Sequence, residues 1–245
     1  MNENSEIYES EIIIMEELKA YLEQLNIEGT DAKAQQLERY MVAVLEWNEK
    51  VNLTAITDRK EFVRKHFIDS LLCAQTDAFT GAASVCDVGT GGGFPGVPLA
   101  VCYPDKEFVL MDSLDKRVRI VRQLCEEIGI GNVTVIHGRA EELARKADFR
   151  EHFDLCVSRA VANMRVLSEY CLPFVREGGT FIAYKGADCD AEIAEAEHAI
   201  RLLGGGAPLI LPLTQPEHSL VIIKKENATP PANPRKAGTP SKKPL

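Results

Sequence analysis

Residues 84–100 read SVCDVGTGGGFPGVPLA, and the rest of the chain is organised around them. Ser84-Val85-Cys86-Asp87-Val88 is a short apolar run of the kind a buried parallel strand uses. The next five positions hold four glycines, Gly89, Gly91, Gly92 and Gly93, and Phe94-Pro95-Gly96 then leads into an apolar helical run at 97–102. Strand, glycine turn and helix together let a ligand lie against bare backbone. No Cβ holds it off, and a helix N-terminus adds N–H donors and the positive end of a dipole. Four clustered glycines cost about 1 kcal/mol each in backbone entropy, a cost that a purely structural turn has no reason to carry.

Two ligand classes fit such a turn. Gly91, Gly93 and Gly96 satisfy G-x-G-x-x-G, and Asp112 lies about twenty residues on, as in a nicotinamide-dinucleotide site of an oxidoreductase. The register favours the other class. The strand ends at Val88, so the turn starts at Gly89, two residues after Asp87. An acidic residue followed by Gly89, Gly91 and Gly93 resembles the S-adenosylmethionine loop of class I methyltransferases.

At 245 residues the chain has room for one α/β domain and an added helical piece. Its 45% hydrophobic and 27% charged residues are those of a globular protein, and no run reaches membrane-span length. The acidic start does not read as a signal peptide, which implies a cytoplasmic location. Seven cysteines, widely spaced and without a C-x-x-C pair, predict buried thiols, with neither a disulfide framework nor a metal site. The net charge of −9 argues against non-specific nucleic-acid binding, but the charge is uneven. Residues 1–28 carry eight Glu against Lys19, whereas 225–245 carry five Lys and Arg against Glu226.

Four regions follow in order: an acidic N-terminal helix at 1–30, a helical extension at 31–80, a Rossmann-like domain at 81–224, and a basic tail at 225–245. Ile14, Leu18, Tyr21, Leu22 and Leu25 form one helical stripe, and Leu37, Tyr40, Met41, Val44 and Leu45 a second, with Thr30 or Asp31 as its cap. Asp58 and Glu61 make a capping box for a third helix with Phe62, Phe67, Leu71 and Leu72 inward. Arg64, Lys65, His66 and Asp69 then fall on its outer face, solvated or turned toward RNA. Beyond the glycine turn, apolar runs at 108–111, 133–136, 153–157 and 180–184 alternate with helical patterns at 115–128, up to Tyr170, and 191–203. Two more strands, at 209–213 and 220–223, have no helix-length gap between them and therefore close the sheet antiparallel. The pattern predicts an open, mostly parallel sheet with helices on both faces and ligands at the strand tips. Those tips carry the candidate residues Gly89–Phe94, Asp112, Ser113, Leu114, Ala140, Glu141, Arg159 and Lys185. The tail, rich in Pro, Lys, Ala and Thr, is expected to lack fixed structure.

Read together, the motifs resemble one family. Residues 87–99, Trp47-Asn48 with Asn52-Leu53-Thr54, and His66-Phe67-Ile68-Asp69-Ser70 match the ribosomal small-subunit methyltransferase G family, once called glucose-inhibited division protein B. So do residues 112–117, Arg139-Ala140-Glu141, Ser158-Arg159-Ala160 and Tyr184-Lys185-Gly186. Gly92 is a small departure, where relatives often have Ala or Pro. The resemblance implies a class I fold with a seven-stranded sheet, S-adenosylmethionine as cofactor, and methylation of a guanine at N7 in 16S ribosomal RNA by a monomer without a metal. It also implies that Gly89, Gly91, Gly93, Phe94, Asp112, Ser113, Leu114, Ala140, Glu141 and Arg159 hold the cofactor. Arg159 and Lys185 would position the substrate, and no general base is needed. A non-catalytic ribosome-assembly factor keeping the same fold is the other reading the resemblance leaves open.

Overall fold

The computed structural model describes the backbone of residues 3–213 and 218–245, and side chains from Ile13 onward. Residues 1–2 of the acidic N-terminal segment lie outside the described residues. Seven strands form one sheet: β1 (Ser84–Val88), β2 (Glu107–Asp112), β3 (Val133–His137), β4 (Phe153–Arg159), β5 (Val175–Gly186), β6 (Leu209–Leu213) and β7 (His218–Lys224). Their order is β3-β2-β1-β4-β5-β7-β6. The first five are mutually parallel, while β7 runs antiparallel to both β5 and β6. The order reverses at β1, so the crevice at the carboxyl ends of β1 and β4 is where the chain leaves room for a ligand.

Each strand splits its side chains between two cores. Val85 faces the core built with the N-terminal helices, whereas Cys86 and Val88 face the core beneath Met164–Cys171 and Asp190–Leu202. The Asp115–Ile128 helix buries Val118, Val121, Leu124, Cys125 and Ile128, and Gly129 at φ 78 ends it in the left-handed region that suits glycine. All seven cysteines are free and buried.

The N-terminal helices Glu3–Gln24 and Thr30–Asn48 pack on the sheet domain as part of its first core. Neither Thr30 nor Asp31 caps the second of them. Gly29, at φ 66, takes the cap position without a side-chain bond. The Asp58 carboxylate does accept the Glu61 N–H at 2.8 Å, as a capping box requires. The segment after it differs from expectation. A short α-turn, Arg59–Phe62, passes into a π-helix, Val63–Ile68, before α-helical geometry resumes at Asp69–Leu71. Phe62 and Phe67, five residues apart, are both fully buried, which an i→i+5 turn accommodates and a regular α-helix does not. The wider turn rotates Asp69 inward, where it is 1% exposed, whereas Arg64 and Lys65 stay on the outer face as expected.

The tail is the second correction. Residues 225–245 are packed along the second core. Lys225 is buried, with Nζ bonded to the Leu172 carbonyl at 2.9 Å. Arg235 makes a forked pair with Glu169, whose side chain is fully buried, and Arg165 donates to the Leu245 carbonyl at 2.6 Å. Composition suggested disorder because the segment has few apolar residues. It is held instead by charged side chains bonding to carbonyls and carboxylates.

Candidate active site

Asp87, at the tip of β1, is wholly buried beneath the glycine bend. Its Oδ2 accepts from Thr90 Oγ1 at 2.6 Å and from the Gly96 N–H at 2.9 Å, while Oδ1 has no partner. Burial pushes this carboxyl up to about 6. The first N–H of the Gly96–Cys102 helix is therefore taken by Asp87 and is not offered to a ligand. Gly93 has φ +92, and a Cβ there would meet Tyr40 Oη at 2.3 Å, so only glycine fits against the N-terminal helices. Gly91, at φ +58, is different: a Cβ there would meet nothing within 4 Å. Its open side faces a cavity of about 550 Å³ whose wall includes Gly89, Gly91, Phe94, Arg159 and Lys185.

Asp112 at the tip of β2 accepts the Gly91 N–H on Oδ2 (2.9 Å) and the Leu114 N–H on Oδ1 (2.8 Å). It fixes the bend to the next strand, and each oxygen keeps a lone pair for a hydroxyl donor. Asp112, Ser113, Ala140 and Glu141 line a second hollow of about 110 Å³, which shares Gly89 with the larger cavity. The Glu141 carboxylate accepts the Gly238 N–H of the tail at 2.8 Å. Leu114 is 51% exposed at the start of the Asp115–Ile128 helix.

The N-terminal helices supply the other wall. Asn48 Oδ1 accepts the N–H groups of Leu53 and Thr54, at 2.8 and 3.0 Å, and so holds the 49–57 loop against the bend. Phe94 is only 5% exposed; His66 stacks on it at 4.2 Å with the rings 4° apart, and Phe62 meets its face edge-on. His66 Nδ1 accepts from Arg159 Nη2 at 3.2 Å, so Nε2 carries the proton and donates to Thr54 Oγ1 at 2.6 Å. Burial and the Arg159 charge lower His66 to about 3, which keeps it neutral.

Arg159, at the tip of β4, pairs with the buried Asp69 carboxylate and donates to the Lys65 carbonyl at 2.9 Å. The other oxygen of Asp69 accepts from His218 Nδ1 at 2.6 Å. Burial works to raise the Asp69 carboxyl, but the His218 hydrogen bond and the Arg159 charge outweigh it and hold the group below its ordinary value. Lys185 was expected to position substrate. Its Nζ is instead bonded to the Ala162 carbonyl (2.8 Å) and to Glu192 (2.6 Å), which makes it a clamp on the loop after β4. That loop begins at Ala160, a non-glycine residue at φ 57, and brings Val161 over Gly89.

Structure thus gathers Gly89, Gly91, Phe94 and Arg159 at one cavity and Asp112, Ser113, Ala140 and Glu141 at the adjoining hollow. Asp87 stands out in the sequence as the acid that opens the glycine motif, but strand-tip reasoning missed Asp69 and His218. His218 is the first residue of β7, directly opposite Gly186, and an antiparallel strand brings its amino end to the edge where parallel strands finish.

An open site of bare backbone, a carboxylate with one unused oxygen, and an acidic tip on the second strand suit a ligand with an amino end and a ribose. With this strand order they define a class I S-adenosylmethionine-dependent methyltransferase. Solved structures agree on the fold. The O-methyltransferase from Bacillus cereus in complex with SAH superposes with a TM-score of 0.52 at 18% identity, over 76% of this chain and 90% of that one. The ribosomal protein L11 methylase from Lactobacillus delbrueckii subsp. bulgaricus gives 0.50 at 16%, over 66% and 79%. The family model for rRNA small subunit methyltransferase G matches residues 33–221. Curated relatives named ribosomal RNA small subunit methyltransferase G include one from Alkaliphilus oremlandii, 47% identical over 93% of this chain and 97% of its own length. Another, from Clostridium novyi, is 46% identical over 96% and 99%. The chain belongs to the rRNA small subunit methyltransferase G family. Among the described residues no helix is long and apolar enough to cross a membrane.

Proposed function

We propose that the chain methylates N7 of a guanine in 16S ribosomal RNA. The observation that carries this reading is the placement of Arg159. It is fixed at the β4 tip by Asp69, Lys65 and His66, on the same cavity as the open side of Gly91. Gly89 and Gly91, above Asp87, would hold the amino-acid end of S-adenosylmethionine, and Asp112 and Ala140 its ribose and base. When bound, the cofactor supplies a methyl carbon on a sulfonium; the N7 lone pair takes that carbon, the C–S electron pair stays with sulfur, and the positive charge passes to the purine. N7 bears no proton, so the residues present need only place the ring in line and exclude water. That suits a cavity in which the half-buried His66 imidazole is neutral and already hydrogen-bonded on both nitrogens.

The test is transfer of labelled methyl from S-adenosylmethionine to small-subunit particles or their RNA, followed by mass spectrometry of the modified nucleotide. We expect 7-methylguanosine at one position, absent from cells lacking the protein. No transfer to either substrate would favour an assembly factor that has kept the fold, and binding of NAD in place of S-adenosylmethionine would favour an oxidoreductase.

A further inference from the structure

The Asp69 carboxylate accepts from two side chains at once on the cavity wall, Arg159 on Oδ2 and His218 on Oδ1. Its side chain is 1% exposed, while that of His218 is 37% exposed. With Nδ1 committed to Asp69, His218 has Nε2 left for the cavity. Arg159 uses three of its N–H groups, on the Lys65 carbonyl, Asp69 and His66, and keeps two of five. Of the other cations on this wall, Lys185 is held by Glu192 and the Ala162 carbonyl, Lys65 by Glu61, and Arg117 donates to the Asn52 carbonyl at 3.1 Å.

Taken with the guanine-N7 reading, on which this rests, the pair has a specific use. Arg ordinarily reads guanine through O6 and N7 together. Here N7 must keep its lone pair for the methyl group, so Arg159 cannot take both acceptors, and O6 needs its second donor from elsewhere. We infer that His218 is a specificity-determining residue: its Nε2–H and an Arg159 N–H converge on guanine O6 and leave N7 free. Adenine presents an amino group at that edge and would set donors against donors. The hydrogen bond to Asp69 raises His218 above its ordinary value and, against burial and the charges of Arg159 and Lys65, favours the doubly protonated ring that this role uses.

The test is a functional-group deletion on both sides of the contact. His218→Leu and His218→Gln are assayed on small-subunit RNA carrying either guanine or 2-aminopurine, which keeps N7 but lacks O6, at the methylated position. Expected for the wild-type chain is a loss of about 10- to 100-fold in kcat/KM on 2-aminopurine, the scale of a hydrogen bond to a charged group. His218→Leu should lose a similar factor on guanine and little more on 2-aminopurine. His218→Gln, which retains an N–H donor, should recover part of the guanine rate. Equal losses by His218→Leu on both RNAs would mean a structural role and overturn the inference. So would a wild-type chain that methylates the 2-aminopurine RNA as fast as the guanine RNA, a result that needs no variant to fold. If the wild-type chain fails on guanine RNA itself, the parent reading falls, and this falls with it.

Discussion

Replacing Arg159 by alanine is expected to reduce methyl transfer by about 10²- to 10³-fold, the usual effect of removing one preorganised donor from a site of developing charge. The reason lies in how the side chain is held. Its contacts to the Lys65 carbonyl, Asp69 and His66 fix the guanidinium before any substrate arrives, so the reaction need not order it. Arg159→Lys should rescue poorly, because an ammonium cannot reproduce a fork that meets three acceptors in different directions. Binding of S-adenosylmethionine without RNA should weaken less than transfer does, by at most about 10- to 100-fold, since no more than one charged hydrogen bond to the cofactor is lost. Single-turnover transfer of labelled methyl and a separate cofactor titration distinguish the two effects. Unchanged turnover in Arg159→Ala would remove this residue from the site.

The second large effect concerns the tail. Deleting residues 226–245 leaves the fully buried Glu169 carboxylate without Arg235, and Glu141 without the Gly238 N–H. Stripping one partner from a buried pair costs about 3–5 kcal/mol. For a chain of this length that is a fall in Tm of roughly 6–20 °C. Burial alone would raise the Glu169 carboxyl, but the Arg235 contacts hold it below its ordinary value. The stability this pair gives is therefore complete at neutral pH and fades as pH falls through the carboxylate range. The difference between thermal melts of the full and shortened chains should narrow between pH 7 and a pH below the carboxylate range, where Glu169 is protonated in both. A shortened chain with the full-length Tm at pH 7 would show that the strap carries no load. Cofactor affinity should fall as well, because Glu141 belongs to the same turn as Ala140 on the wall of the smaller hollow.

The strands and their tips were legible because apolar runs stop at glycines and acids, and their alternation with helical patterns implies a mostly parallel sheet. Residues 84–88, 115–128 and 209–213 fall on the observed elements. The reading failed where geometry departs from regular periods. The π-turn through Phe67 moved Asp69 from an outer face to the cavity wall. The reversal of β7 carried His218 to an edge where only strand ends had been considered. The strap defeated a compositional rule because polar contacts hold it, and these depend on Glu169 and Glu151, far away in sequence. Lys185 was correctly placed at a strand tip, but nothing local says that Glu192, seven residues on, folds back to meet it.

The bend at Gly89–Gly91 is the point on which the functional reading turns, and Gly91 isolates it. A Cβ at Gly91 touches nothing in the protein, so Gly91→Ala should stay folded at the cost of about 1–2 kcal/mol for a left-handed residue. Calorimetric titration of the wild-type chain should show saturable binding of S-adenosylmethionine and no response to NAD, and Gly91→Ala should bind the same cofactor at least tenfold more weakly. A folded Gly91→Ala that binds S-adenosylmethionine as tightly as the wild type, or a wild-type chain that binds NAD instead, would contradict it.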